Sequence, residues 1–187
     1  MNIKYGFTLV EILVVVSIIG ILSVIGIGSY TGIQRNARAS KMATDFQQMK
    51  LAWKTWKNAN DGTNYPREDT IGAQNPDYTA SCASEPSIDQ TVAGTYLEST
   101  FRDPWQREYS YNNDGSTHTD TLDSDGGVNV LIRWCNADER NRYFQFAPIL
   151  DRMLDGDGDR LSGLVRWDAA TADVGAIYFM ISSVESR

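Results

Sequence analysis

The sequence predicts an α+β chain, one long N-terminal helix whose first half spans a membrane and whose second half lies on a small, mainly antiparallel β-sheet. Three observations predict it. Residues 12–34 carry no charge at all. Apolar residues then recur at helical spacing as far as Trp56, and the β-branched and aromatic runs that read as strands all lie in the second half of the chain. With 187 residues, 42% of them hydrophobic, the chain can bury one good-sized core but hardly two. Its formal charge of -7 argues against a general nucleic-acid binder. That charge is unevenly spread. Residues 35–57 hold six basic groups and one acid, whereas residues 58–187 hold 10 Arg, no Lys and 22 acids.

The uncharged run of 23 residues exceeds the roughly 20 that cross a hydrocarbon core as a helix. A secretory signal has a shorter apolar core of about 7 to 15 residues and a small-residue exit site, and none follows here. A helix buried in a soluble core is the competing reading, but such helices are seldom apolar on every face. Glu11 does not suit a plain anchor, because an acid in a membrane helix calls for a partner. Cleavage between Gly6 and Phe7 would free an amine one helical turn before Glu11, available to the Glu of an adjacent helix.

Lys4, Gly6, Phe7-Thr8-Leu9-Val10-Glu11 and the apolar run after them resemble the class III leader of type IV pilins and of the pseudopilins of type II secretion. The resemblance implies a pilin-like fold and a six-residue leader, residues 1–6, removed by prepilin peptidase after Gly6, with methylation of the new N-terminal Phe7. It also implies that Glu11 contacts the N-terminus of a neighbouring subunit during assembly. On this reading residues 7–29 form the transmembrane and assembly helix, residues 30–60 its amphipathic extension, and residues 61–187 a globular head outside the cytoplasm. The implied partners are other pilin or pseudopilin subunits, the peptidase, an inner-membrane assembly platform and membrane lipid. The implied location is the bacterial inner membrane, single-pass with a periplasmic head, and then a cell-surface or periplasm-spanning filament. Arg35, Arg38 and Lys41 follow the run closely, so the count of basic residues taken alone favours the opposite orientation. Many pilins bend this helix at a Pro. Here the first Pro is Pro66, and Gly20, Gly26 and Gly28 are the weak points.

Beyond the run, Ala39, Met42, Phe46, Met49, Trp53 and Trp56 recur every three or four residues, which makes one apolar stripe. Lys50, Lys54 and Lys57 fall on another face, read as the solvent side. The helix is expected from about Phe7 to Ala59, closed by Asp61-Gly62, and would be about 80 Å long. Interleaved Lys and Trp also suit nucleic acid, but the Trp lie on the core stripe and the downstream acids repel phosphate. No nucleic-acid partner is expected.

Residues 61–101 read as a long surface loop. Cys82 and Cys135 are the two cysteines, and outside the cytoplasm a disulfide between them is the natural pairing, with two buried thiols as the alternative. The bond would close 54 residues and contribute about 4 kcal/mol. Arg107 to Tyr111, a turn at Asn112-Asn113-Asp114-Gly115 and a Thr-rich run from Ser116 read as strand, turn, strand. Val128 to Trp134 and Gly175 to Ile181 are the expected central strands. Asp103-Pro104-Trp105 with Tyr109-Ser110-Tyr111 is similar to a stretch of the major pseudopilins, in which a Gly usually follows the Trp. Gln106 stands at that place here.

Asp155, Asp157 and Asp159 alternate with Gly, a spacing that lets three hard oxygen ligands converge on calcium. An EF-hand loop wants Gly after the third acid and Glu at its twelfth position, where Arg160 and Arg166 stand. The plainer reading is a solvated turn after a short helix from Pro148 to Leu154. His118 is the only histidine, no nucleophile or phosphate-loop motif accompanies it, and no catalytic residue is assigned. The function read from the sequence is therefore a structural subunit, a pilin or pseudopilin that polymerises through its N-terminal helix. A low-copy minor pilin or tip module that recognises a surface or exported protein is the alternative.

Overall fold

The structure is a computed structural model. It describes residues 8–60, 62, 65, 88, 96–97, 102–113, 128–156, 158–169 and 173–182, without the side chains of 25–29. The chain falls into two compact units, Met1–Ala37 and Arg38–Arg187.

The first unit holds the start of helix α1, which runs from Leu9 to Asn60 as expected. Its described apolar side chains from Leu9 to Val24 are exposed, Leu9 by 80% and Val24 by 75%. Among the described residues no helix is long and apolar enough to cross a membrane. The expected span includes residues 25–29, whose side chains lie outside the description.

The second unit is a helix on a sheet, as the sequence predicts. Ala39, Met42, Phe46, Met49 and Trp53 are fully buried, so the apolar stripe is the face α1 gives to the core. Strands β1 (Ser110–Asn112), β2 (Val128–Trp134), β3 (Val165–Trp167) and β4 (Gly175–Ser182) form a sheet in the order β1-β2-β4-β3. Every pairing is antiparallel. The expected central strands are central. Alternation along them sends Val130, Ile132, Trp134, Ile177 and Phe179 to the helix-facing core, and Leu131, Ala176 and Tyr178 to a second buried cluster. Phe46 stacks on Phe179 at 4.7 Å and Trp53 on Tyr111 at 4.2 Å, joining α1 to the sheet.

Helix α1 ends at a left-handed Gly62 (φ 74°), whose N–H bonds Lys57 O at 2.8 Å. Of the lysines placed on the solvent side, only Lys54 is exposed. Lys50 and Lys57 are half-buried, with Nζ 5.7 Å from the Phe179 ring centre and 4.8 Å from that of Tyr65. Their long aliphatic stems cover apolar surface while the ammonium sits over a ring.

Two elements were not read from the sequence. Helix α2 (Ala137–Phe144) starts at Asn136, whose side chain accepts from Glu139 N at 2.9 Å. Strand β3 is only three residues long. The helix expected at Pro148 is present as α3 (Ala147–Leu154), with Leu150 buried. The Thr-rich strand from Ser116, and His118 within it, lie outside the described residues. In the long loop 61–101, Tyr65 and Ile88 are buried, and Ile88 N bonds Tyr109 O at 3.0 Å. The loop is thus tied down partly by its own apolar residues.

Candidate functional site: the exposed helix and the Asp103 turn

At the start of α1, Thr8 and Glu11 form a capping box. Glu11 Oε2 accepts from Thr8 N at 2.7 Å and from Thr8 Oγ1 at 2.8 Å, while Glu11 N donates to Thr8 Oγ1 at 3.3 Å. Helix N-termini leave N–H groups without partners, and a Thr with a Glu three residues on satisfies two of them. Thr8 was missed in the sequence, although Thr-x-x-Glu before an apolar run is the signature of this box. Further along, Ser17 Oγ donates to Leu13 O at 2.8 Å and Ser23 Oγ to Ile19 O at 2.7 Å. Each described polar side chain between Thr8 and Val24 thereby has a bond inside its own helix, and apart from the exposed Glu11 carboxylate what the segment presents outward is hydrocarbon. Gly6 and Phe7, the predicted processing residues, lie outside the described residues.

The second constellation is built on Asp103. Its carboxylate is fully buried, and Oδ1 accepts from the backbone N–H of Trp105 and of Arg107, both at 2.8 Å. Oδ2 accepts from the Tyr143 hydroxyl of α2 at 2.5 Å. Asp103 N also bonds Arg107 O at 2.9 Å, and Gln106 N bonds Asp103 O at 3.0 Å. Asp-Pro opens this turn for a physical reason, since Pro fixes φ at the next position and the Asp side chain holds the amides that follow. Gln106 closes it at φ 70°, a left-handed conformation that costs any residue with a Cβ. A Gly at that place would carry no such strain. Arg102 and Glu108 pair beneath the turn through side chains and a β-bridge.

Helix α1 reaches the same cluster through Asp45, the one acid in its basic zone. Asp45 Oδ2 accepts from Lys41 Nζ at 2.6 Å and from the Tyr109 hydroxyl at 3.0 Å. Burial pushes the Asp45 carboxyl above its usual range, with Lys41 and Tyr109 drawing it back. Burial also pushes the Tyr109 hydroxyl well above 10, helped by the nearby charges of Asp45 and Asp103. Arg107 links the turn to α2 through Glu139 Oε2 at 2.8 Å and to β2 through Arg133 O at 3.0 Å.

Cys135 follows β2, 3.9 Å from Arg107 Nη2, and no free cysteine is present among the described residues. Cys82 lies outside them. The described acids of the loop bond backbone amides. Asp155 Oδ2 accepts from the amides of Leu164 and Val165, and Asp159 Oδ1 from Leu161 N at 3.0 Å. Asp151 Oδ2 accepts from Gly158 N at 3.1 Å, and Asp157 is outside the description. Among the described residues no three acidic, His or Cys side chains gather as a metal would need, and Asp157, the middle acid of the expected set, is not one of those residues.

Two family models match the chain. The one described as the prokaryotic N-terminal methylation motif covers residues 1–27. That for type II secretion system protein G covers residues 29–129, more than half of the chain. Neither a curated protein nor a solved structure matches it significantly.

Proposed function

The chain belongs to the type II secretion system protein G family of pilins and pseudopilins, and on that premise we propose that it is a membrane-stored subunit that polymerises through the first half of α1. The observation that carries this reading is the continuous exposed hydrocarbon from Leu9 to Val24. A patch of that extent is not stable in water and needs lipid or copies of itself. Internal satisfaction of Thr8, Glu11, Ser17 and Ser23 supports the same reading, because a helix in lipid must meet its polar groups itself.

On this proposal prepilin peptidase cuts between Gly6 and Phe7, the head lies in the periplasm, and assembly at the inner-membrane platform transfers the helix from lipid into a filament. Glu11 then exchanges its Thr8 contacts for the amine of a neighbouring subunit. The family is one of structural subunits, and the chain's role is mechanical. A disulfide between Cys82 and Cys135 is part of the proposal, supported by the lack of a free thiol at Cys135. Calcium at Asp155, Asp157 and Asp159 is proposed from the spacing of the acids alone. Mass spectrometry of protein from sheared fibres tests the main reading. A methylated Phe7 N-terminus in an abundant species is expected, an intact Met1 overturns the reading, and a processed but rare species makes the chain a minor or tip subunit.

A further inference from the structure

We propose that Arg38, Arg142 and Trp105 form a docking point for the phosphate of anionic phospholipid, which holds the head against the membrane while the subunit is stored. The proposal rests on the membrane reading above. Trp105 leaves the Asp103 turn half-buried, set edge-on to Tyr143 and Phe146 at 5.1 Å each. Two guanidinium groups converge on its ring, Arg38 from α1 at 5.4 Å and Arg142 from α2 at 5.7 Å.

What separates these two from the other cations nearby is the lack of a counter-charge. Lys41 is paired with Asp45, Arg102 with Glu108, Arg107 with Glu139 and Arg140 with Asp173. Arg38 and Arg142 enter no ion pair among the described residues, nor does Arg35 one turn earlier on α1. Asp138, one turn before Arg142 on α2, makes no ion pair with it either. Two unpaired positive charges close to one ring raise the local potential, and an anion bound by either guanidinium lowers it. Guanidinium suits phosphate because its planar N–H fork can bind two oxygens at once.

Position selects a lipid phosphate. Arg38 stands four residues past Gln34, the end of the uncharged run. That is about 6 Å along a helix, inside the Debye length of about 8 Å at physiological salt. An indole at this level suits the interfacial zone where Trp is enriched. The remainder of the head carries a large excess of acid and is repelled by an anionic surface. Attraction at this one end and repulsion elsewhere would orient the head.

The full chain is reconstituted into vesicles of phosphatidylcholine alone, or with about a third phosphatidylglycerol, each with a trace of headgroup spin-labelled lipid. Trp105 emission is taken as the difference between the chain and its Trp105→Phe variant. Quenching should rise with phosphatidylglycerol and fall with salt. Arg38→Gln and Arg142→Gln should each lower the docked-to-free ratio about fivefold, the equivalent of about 1 kcal/mol. Matching melting curves establish that the variants fold. A chain that floats with both vesicle types, yet shows no response to phosphatidylglycerol or to the two substitutions, overturns the lipid site and leaves the membrane reading standing. Loss of self cross-linking in the variants with unchanged quenching assigns the arginines to a carboxylate of another subunit and also overturns it. Failure to float with either vesicle removes the membrane reading itself, and the docking point with it.

Discussion

The buried carboxylate of Asp103 accepts the hydroxyl of Tyr143 at 2.5 Å, and through that bond the turn after Arg102 is fixed to helix α2. The same carboxylate holds two amides of its own turn. Asp103→Ala would leave three donors without their acceptor in a dry site, so a loss of about 3 to 5 kcal/mol is expected. Tyr143→Phe removes one of the three and should cost about 1 to 2 kcal/mol. Urea unfolding of the detergent-solubilised chain, followed by tryptophan emission, measures both. Equal costs would show that the hydroxyl is what matters and the turn amides are not.

Gln106 is the one described non-glycine residue in the left-handed region. Gln106→Gly should stabilise the head by about 0.5 to 1 kcal/mol, the relief of its Cβ strain less the added freedom of the unfolded chain. Thermal unfolding would register this as a rise of about 2 °C. A fall would mean that the Gln side chain makes a contact worth more than the strain.

Gly175 lies opposite Trp134 in the β2–β4 ladder, and a Cβ there would come within 2.4 Å of the Trp134 ring. The indole is buried and cannot swing away. Gly175→Ala should therefore destabilise by about 3 kcal/mol, while Gly175→Ala with Trp134→Phe should recover part of the loss. A double variant no better than the single one would locate the strain elsewhere.

Tyr109 dictates an alkaline limit. Its folded pKa lies well above 10, whereas the unfolded chain ionises near 10. The folded state keeps a proton that the unfolded state gives up, so stability is intact below about pH 10 and falls above it by about 1.4 kcal/mol per pH unit. Asp45 has the same sign lower on the scale. Its raised carboxyl pKa makes the contribution of that group fall as pH climbs from about 3.8 through the folded value, opposite to a salt-bridged carboxylate held low. Melting temperatures between pH 9 and 11 on the chain and on Tyr109→Phe should diverge, with the flatter curve belonging to the variant.

Glu11→Val removes half of the capping box and the proposed partner of the neighbouring amine. The variant should insert and be processed yet enter sheared fibres at a small fraction of the normal level, read by immunoblot of the fibre fraction. Normal incorporation would remove Glu11 from assembly. For the acidic loop, addition of calcium and then of a chelator to the purified chain decides the metal. A rise and fall in melting temperature supports it, and no change leaves the amide contacts of Asp155 and Asp159 as the loop's fastening.

Much of this was legible because it is periodic. The stripe from Ala39 to Trp53 and the runs at Val128 and Gly175 each announce a buried face through spacing alone. Helix α2 carries no such period, since of Ala-Asp-Glu-Arg-Asn-Arg-Tyr-Phe only Tyr143 is fully buried. Its signal was the cap, Asn136 with Glu139 three residues on. Strand β3 is too short for any pattern to show. At the candidate site, Glu11 and Asp103 could be found by resemblance, but Asp45, Arg38 and Arg142 could not. Their roles come from the partners that folding brings to them: Lys41 stands one helical turn before Asp45, but Tyr109 and Trp105 are joined to these residues only in three dimensions.

Ser17 and Ser23 already hold intramolecular bonds, so the rod carries these hydroxyls pre-solvated from one medium to the next. Its partition coefficient between a bilayer and a bundle of like rods should sit near unity as far as those atoms are concerned. Those hydroxyls thus neither favour nor oppose a fibre, and on the proposed assembly its growth is driven by Glu11 and by the packing of the apolar faces.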